Sequence, residues 1–285
     1  MRSMVKTILA FVGNIYFLFI AYFRKNNPWV KVLIYHDIPP NYEVNFRNQI
    51  ELLEKHYDFI TPAQFHLYIE GKFLLNRNSL VVTFDDGFET SYKSTIEILE
   101  PLGIKALFFI CSGFIDSLQT KDWRTYTQKH IFDNQVPADS IRPWHKPMTW
   151  DQVSELNENG HMIGGHTKNH SRLSKIDDVQ KIISEISDDK FKIESVLGKK
   201  IMAIAYPYGD INSISKESLN IIDSTYEYCY SGVRGNNYIN EHKSTIKRDV
   251  AGFNLKMVVI KFIANGGYNW YYRSERARLN KMISN

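Results

Sequence analysis

The sequence contains little cysteine and no cluster of basic residues. Its 285 residues include two cysteines, Cys111 and Cys229, and no Cys-x-x-Cys pair, which excludes a zinc site built from paired cysteines. Each cysteine lies in an apolar, strand-like run, so we expect buried free thiols, with a single disulfide as the alternative. The chain has a net charge of +4, but its Lys and Arg residues are spread along the sequence. We therefore expect no nucleic-acid binding.

Internal repeats and low-complexity segments are also missing. Apolar residues make up 44% of the chain and charged residues 23%, which is near the average of globular proteins, so the chain should fold. Its length suits one α/β barrel, which commonly takes about 250 residues, or two ordinary domains.

Long uncharged runs are rare in globular chains, but one extends from Thr7 to Phe23 between flanking Arg and Lys residues. A membrane-spanning helix needs roughly 17 to 25 such residues. A signal peptide would end in small residues, whereas this run ends in Tyr22-Phe23-Arg24-Lys25. We therefore predict an uncleaved anchor over residues 1–25 at the cell membrane, and one domain over residues 29–285 that lies outside the cytoplasm.

Beyond that run, short β-branched or aromatic segments alternate with helical patterns, which indicates parallel strands joined by crossover helices. Seven segments are candidate strands: Lys31 to Tyr35, Leu80 to Phe84, Ala106 to Ile110, His161 to Gly164, Ala203 to Tyr206, Tyr228 to Ser231 and Thr245 to Val250. The expected fold is an α/β, distorted and incomplete (β/α)7-type barrel preceded by the N-terminal hydrophobic helix.

Two helices have clear ends. Thr149 and Gln152 form a capping-box pattern at the start of one, and Gly198 ends the other, whose apolar residues recur from Val179 to Leu197. Residues 112–147 lack periodicity and are predicted to be an insertion, often a functional feature. Its Trp123 and Trp144 could flank a sugar-binding groove or pin the loop to the barrel.

Two polar segments follow candidate strands and carry metal-ligand chemistry. The first is Thr83-Phe84-Asp85-Asp86-Gly87, and the second is His166-Thr167-Lys168-Asn169-His170. Taken alone, the first could be a simple turn, and the second could be two solvated histidines. Two histidines on one face of a helical turn plus one carboxylate would instead make the three-ligand set of a catalytic zinc-type site, which leaves a position open for water.

A third polar segment, Ala205-Tyr206-Pro207-Tyr208-Gly209-Asp210, also follows a strand. Pro207 and Gly209 predict a tight turn that leaves the Tyr208 amide free to donate outward. Because active sites of parallel α/β barrels lie at the carboxyl ends of the strands, all three segments should meet on one barrel face.

Together these segments resemble the polysaccharide deacetylase family, also called carbohydrate esterase family 4. The family's first motif is similar to Thr83–Gly87, and its His-Ser/Thr-x-x-His motif is similar to His166–His170. The runs VLIYHDI (Val32 to Ile38), MTWDQVSEL (Met148 to Leu156) and IESVLGKK (Ile193 to Lys200) also resemble members of the family, so the similarity extends from about residue 30 to about residue 255.

The resemblance implies a hydrolase that removes acetyl groups from an N-acetylated glycan of the N-acetylglucosamine type. Asp86, His166 and His170 would hold a divalent metal, with zinc expected. Asp85 would be the general base, and the turn at Pro207 and Tyr208 would bind substrate, the Tyr208 amide stabilising the oxyanion.

The sequence departs from the family's commonest pattern at two places. Ala205 stands where members usually carry an Arg that pairs with the catalytic aspartate, and Arg248 is our candidate replacement. The usual Leu-x-His that supplies the general acid is missing, which leaves His242 and His36 as candidates. These gaps keep two alternatives open: a non-catalytic, glycan-binding membrane protein, and a metal amidohydrolase of a small non-sugar amide. The sequence does not identify a protein partner.

Overall fold

The computed structural model describes residues 28–120 and 122–284, and its strands form one parallel sheet. The strands are β1 (Val30–Tyr35), β2 (Asp58–Phe59), β3 (Ser79–Phe84), β4 (Ala106–Ile110), β5 (Met162–Gly165), β6 (Ala203–Ala205), β7 (Tyr228–Tyr230) and β8 (Arg248–Val250). All seven predicted strands are present with small shifts of their ends. The largest shift is in β8, because Lys243–Thr245 forms a 3-10 turn. The two-residue β2 was not predicted, since it is too short to show a pattern.

The sheet closes almost into a barrel. Its strands follow the order β7-β6-β5-β4-β3-β1-β8, and β2 pairs with the start of β3. Ile246, just before β8, bridges in parallel to Tyr230 of β7, and its carbonyl accepts the Ser231 N–H at 2.8 Å. Every pairing between these strands is parallel. The fold therefore fits the expected distorted (β/α)7-type barrel.

Helices cover the outside of the barrel. They are α1 (Glu43–Glu54), α2 (Pro62–Ile69), α3 (Glu89–Ser94), α4 (Ser112–Asp116), α5 (Trp123–Tyr126), α6 (Trp150–Glu158), α7 (Val179–Ile183), α8 (Asp189–Leu197), α9 (Lys216–Thr225), α10 (Met257–Ala264) and α11 (Arg273–Ser284). Among the described residues, no helix has the length and apolar character needed to cross a membrane. The predicted N-terminal helix lies outside the described residues.

The helix ends follow the sequence signals. The Thr149 hydroxyl accepts the Gln152 N–H at 3.2 Å and the Gln152 side chain accepts the Thr149 N–H at 2.9 Å, so the predicted capping box starts α6. Gly198 ends α8 in the left-handed conformation, at φ 64°. The predicted helix before Gly198 is α7 followed by a π-helical turn, Ser184–Asp188, and α8.

Alternation along the strands separates two apolar layers. Inside the barrel, Val32, Val81, Leu107 and Phe109 pack with Tyr230. Outward-facing residues pack against the helices, as Leu33, Val82 and Phe108 do. Helix α2 contributes Phe65 and Tyr68 to the inner layer, and the Tyr68 hydroxyl donates to the Pro28 carbonyl just before β1. Helix α2 therefore covers the amino end of the barrel, and the carboxyl end stays free for a site.

The insertion forms short helices rather than a structureless loop. It contains α4, α5, a π-helical turn at Thr127–Ile131 and 3-10 turns at Ala138–Ser140 and Pro143–His145. The insertion returns to the barrel through the Glu89 N–H, which donates to the Lys146 carbonyl at 2.9 Å. Both cysteines are buried and free, so they form no disulfide with each other.

Candidate metal and catalytic site

The three polar segments meet in one cavity at the carboxyl end of the barrel. The cavity has a volume of about 490 Å³. Residues from the ends of five strands line it: His36 after β1, Asp85 and Asp86 after β3, His166 and His170 after β5, Tyr208 after β6 and Arg248 in β8. Parallel strands thus bring together residues that lie more than two hundred positions apart in the sequence.

Asp86, His166 and His170 form a buried cluster with metal-ligand geometry. Asp86 Oδ1 lies 3.4 Å from His166 Nε2 and 3.3 Å from His170 Nε2. One potential ligand atom from each residue lies within 4.8 Å of the others. All three side chains are at least nine-tenths buried.

Hydrogen bonds on the far side of each imidazole fix which nitrogen faces the cluster. His166 Nδ1 lies 2.6 Å from the Ala205 carbonyl, and His170 Nδ1 lies 3.0 Å from the His130 carbonyl. A carbonyl only accepts, so both Nδ1 atoms carry the proton and both Nε2 lone pairs point toward Asp86. Asp86 Oδ1 has no hydrogen-bond partner in the described chain. Three acceptor atoms that converge without a donor fit a divalent cation, and metal-bound histidines are normally oriented through their second nitrogen in this way.

Charge balance at the cluster also favours a cation. Burial works against ionisation of Asp86, but the His170 and His166 imidazoles hold its pKa below the usual range. Burial lowers the pKa of His170 to about 4, so this imidazole is neutral and able to ligate. Burial also disfavours charged His166, yet Asp85 and Asp86 raise its pKa. A divalent cation at the cluster would supply the positive charge that these carboxylates favour, with both imidazoles neutral.

The turns that present these ligands are strained. Asp86, Thr167, His170 and Tyr208 all have positive φ, at 75°, 60°, 54° and 65°. Non-glycine residues rarely adopt this conformation, which costs about 1–3 kcal/mol each and is concentrated at functional sites. The expectation of a helical turn from His166 to His170 was wrong: the segment is a non-helical turn. The two imidazoles still converge because this left-handed backbone folds the segment tightly.

Arg248 binds Asp85 through two nitrogens. The distances are 2.7 Å from Nη1 to Oδ1 and 3.0 Å from Nη2 to Oδ2. Arg248 also donates to the Ser231 carbonyl and the Thr83 hydroxyl, and its guanidinium packs over the Phe109 ring. Burial would raise the pKa of Asp85, but the Arg248 charge outweighs it and holds the pKa below the usual value. The expected pairing of Arg248 with Asp85 is present.

The turn after β6 places Tyr208 at the cavity. Gly209, at φ 69°, lies so close to Gly232 that a Cβ would come within 2.6 Å of the Gly232 nitrogen. The Tyr208 amide donates to no backbone carbonyl in the described chain. Pro207 is buried and is not among the residues that line the cavity. It shapes the turn, and its substrate contact stays a prediction.

The two histidines that were candidate general acids lie far apart. His36 lines the cavity. His242 is exposed, and its Nδ1 accepts the Ser244 N–H at 3.2 Å. The adjacent Lys243 pairs with Glu70, which follows α2 at the amino end of the barrel. The hypothesis that His242 is the general acid was therefore wrong.

The aromatic wall of the cavity contains neither tryptophan of the insertion. Trp123 and Trp144 do not line it, and the Arg124 guanidinium covers the Trp123 ring at 4.4 Å. Phe88, Phe132 and Phe253 line it instead, together with aliphatic residues from the insertion, Ile131 and Val136. The insertion therefore supplies both a wall of the cavity and, through His130, a carbonyl that orients a ligand.

Two carboxylates of the site were missed from the sequence. Asp37 lines the cavity next to His36, and burial raises its pKa to about 6. Asp189 is fully buried behind the site and accepts the N–H groups of Ser112 and His166, at 2.8 and 3.1 Å. The sequence does indicate a buried carboxylate here, because Asp189 falls on the apolar face of the helical segment, between Ile186 and Ile193.

Known proteins with this sequence pattern include two curated relatives. A poly-beta-1,6-N-acetyl-D-glucosamine N-deacetylase of Staphylococcus aureus (strain MSSA476) is 28% identical over 177 residues, which cover 60% of this chain and 56% of that protein. YxkH of Bacillus subtilis (strain 168) is 23% identical over 200 residues, which cover 68% of this chain and 61% of that protein. The chain thus spans about three-fifths of the length of these relatives.

A solved structure shares the fold. IcaB from Ammonifex degensii superposes with a TM-score of 0.66 at 19% identity, covering 85% of this chain and 98% of that one. A family model described as polysaccharide deacetylase matches residues 75–226, which is just over half of the 285 residues and includes the ligand cluster and Asp85. The chain belongs to the polysaccharide deacetylase family.

Proposed function

We propose that this protein is a metal-dependent hydrolase that removes N-acetyl groups from an N-acetylated polysaccharide of the N-acetylglucosamine type and releases acetate. Membership of the polysaccharide deacetylase family supports this reaction. The main supporting observation is that two adjacent aspartates in one cavity have different partners. Asp86 faces two imidazole nitrogens, while Asp85 is bound by Arg248.

Asp86, His166 and His170 would hold the divalent cation, and zinc is the first candidate because its catalytic sites combine imidazole and carboxylate ligands. A cation there would supply Lewis-acid polarisation of the acetyl carbonyl and lower the pKa of a bound water. The Ala205 and His130 carbonyls keep the two imidazoles oriented.

Asp85 accepts the proton of the attacking water. Arg248 keeps the carboxylate ionised, and each carboxylate oxygen retains a lone pair beyond its bond to the guanidinium. The two-point contact also fixes the direction of the carboxylate, which is what a general base needs before substrate arrives.

The Tyr208 amide and His36 complete the reaction. The acetyl oxygen gains negative charge as water attacks, and a free backbone N–H is a donor suited to that charge. The departing nitrogen must take up a proton when the carbon–nitrogen bond breaks. His36 lies in the cavity and serves as the general acid.

The experiment is acetate release from N-acetylglucosamine oligomers by the full-length protein, with and without a chelator, followed by addition of zinc. We expect release that stops with chelator and returns with zinc, and no release by Asp85→Asn. Release that continues in excess chelator contradicts the metal requirement. Hydrolysis of small amides without hydrolysis of oligomers favours the amidohydrolase alternative, and no hydrolysis of either favours a non-catalytic protein.

We also propose that residues 1–25 anchor the protein in the cell membrane, with the domain of residues 29–285 on the extracytoplasmic side. The uncharged run from Thr7 to Phe23 supports the anchor. Deletion of residues 1–25 should move the protein from the membrane fraction to the soluble fraction. In intact cells, added protease should digest the full-length protein, and survival of the domain contradicts the proposed orientation.

A further inference from the structure

A second cavity adjoins the catalytic one and differs from it in charge. It has a volume of about 220 Å³ and shares His170 and Tyr208 with the first. Lys129, Lys175 and Lys181 line this second cavity and do not line the first. We define this second cavity as the basic groove.

The positive charge of the basic groove is largely uncompensated. Arg172 also lines it, but this guanidinium is paired with Asp210 at 3.1 Å and stacks on the Tyr208 ring at 3.9 Å. In the part of the chain that the structure describes, Lys129, Lys175 and Lys181 have no carboxylate within ion-pair distance. Asp133 is the one acidic residue in the lining.

The catalytic cavity has a different charge pattern. Asp37, Asp85 and Asp86 line it together with Arg248, and the cation that the cluster would hold balances the remaining negative charge. The uncompensated lysines of the neighbouring groove are therefore the stronger attraction for an anionic group. Because His170 and Tyr208 line both cavities, the two cavities lie next to each other.

We propose that the basic groove binds an anionic substituent, a carboxylate or a phosphate, on a sugar next to the one that is deacetylated. This inference rests on the proposed function and names its substrate class: an N-acetylated glycan that carries negative charge. The concave shape and the shared residues favour a group on the substrate chain itself over a flat surface such as a membrane. Lysine ammonium groups on flexible stems suit either anion, since they act as point charges.

The test compares three N-acetylglucosamine oligomers of equal length: neutral, with one carboxylate and with one phosphate on the adjacent sugar. The readout is the ratio of kcat/KM for each anionic oligomer to kcat/KM for the neutral one, measured with the full-length metal-loaded protein. An exposed ion pair typically contributes about twofold and at most about fivefold, so three lysines predict a preference of about tenfold at low salt. Added salt should reduce it. The anionic oligomer with the larger ratio shows whether the groove prefers a carboxylate or a phosphate.

The variant Lys129→Gln/Lys175→Gln/Lys181→Gln should lose this preference. A matched control, Lys55→Gln/Lys199→Gln/Lys200→Gln, removes the same charge from exposed lysines that precede the amino ends of β2 and β6. The control should keep the preference. A ratio near one in the wild type, or an equal loss in both variants, overturns the proposal. So does a groove variant that loses binding to anionic lipid vesicles while keeping the ratio.

A binding measurement separates this inference from the proposed function. Glucose oligomers with and without a carboxylate contain no acetyl group, so their binding does not depend on turnover. We expect tighter, salt-sensitive binding of the carboxylated oligomer, and loss of that difference in the groove variant only. If this difference in binding is observed while N-acetylated oligomers are not hydrolysed, the proposed function is wrong and the proposal for the basic groove is supported. If hydrolysis occurs without any preference, the groove proposal alone fails.

Discussion

Arg248 reaches Asp85 from a different strand, and two strand pairings separate them: β8 pairs with β1, and β1 pairs with β3. Ala205, the position for which the family resemblance implied an arginine, lies in β6, and its carbonyl orients His166. The positive charge beside Asp85 comes from β8. A barrel allows this because all its inward-facing side chains converge near one axis.

The first prediction concerns Arg248→Met. It leaves a buried, unpaired carboxylate, which should cost about 3–5 kcal/mol of stability at neutral pH, measured by urea denaturation. In the wild type, Asp85 has a lower pKa in the folded protein than in the unfolded chain, where it is about 3.9. This difference stabilises the folded protein above about pH 3.9, and the stabilisation is lost as the pH falls through the folded value. The stability difference between wild type and variant should therefore shrink below about pH 4.

The same variant should move the acidic limb of kcat/KM to higher pH, because nothing then holds the pKa of Asp85 down. Lys31→Met is the matched control: it breaks another fully buried ion pair, Lys31–Asp249 at 2.8 Å, on the outer face of β1 and β8. It should destabilise the protein without moving the acidic limb. An unchanged pH profile in Arg248→Met contradicts the role of Arg248.

The second prediction concerns Asp86→Asn. Asparagine tolerates the left-handed backbone at this position, so the turn should survive while the charge is removed. We expect metal affinity to fall by more than the roughly 10–100-fold typical of losing a ligand's orienting partner, measured as zinc content after dialysis. Asp85→Asn should keep its zinc and lose turnover. Equal zinc content in both variants would remove Asp86 from the ligand set.

The sequence predicted the barrel and the ligand cluster because both depend on local patterns. Alternating apolar runs identify strands, and polar residues directly after them must meet at one end of a parallel barrel. Other features depend on contacts between distant segments. The position of His242 follows from the contact of Lys243 with Glu70, and the lining of the cavity by Phe132 and Val136 follows from how the insertion packs. Neither contact leaves a periodic signal in the sequence.

Asp189 gives the third prediction. Burial raises its pKa to about 7, so its contribution to stability is fully present below about pH 3.9 and is lost as the pH rises through the folded value. Asp189→Asn removes this dependence but also loses one hydrogen bond, to Ser112 or His166, at a cost of about 1–3 kcal/mol. The stability deficit of the variant should therefore be larger at pH 5 than at pH 8, measured by urea denaturation. A deficit that is constant with pH contradicts a raised pKa.

The last prediction is that overpacking at Gly165 weakens metal binding at the cluster. A Cβ at this position would lie 2.4 Å from the Tyr226 hydroxyl and 3.0 Å from Asp189 Oδ2, and both side chains are buried. Gly165→Ala should therefore cost about 1–3 kcal/mol through overpacking. Because Asp189 accepts the His166 N–H, its displacement should also weaken zinc binding by about 10–100-fold.

Gly103→Ala is the control for that variant. Gly103 has φ 69° and no atoms within 4 Å of an added Cβ, so alanine there should cost about 1–2 kcal/mol through backbone strain alone. The two variants should lose similar stability by thermal denaturation, and only Gly165→Ala should lose zinc affinity by calorimetric titration. A Gly165→Ala protein that binds zinc as tightly as Gly103→Ala does would show that Asp189 does not position His166.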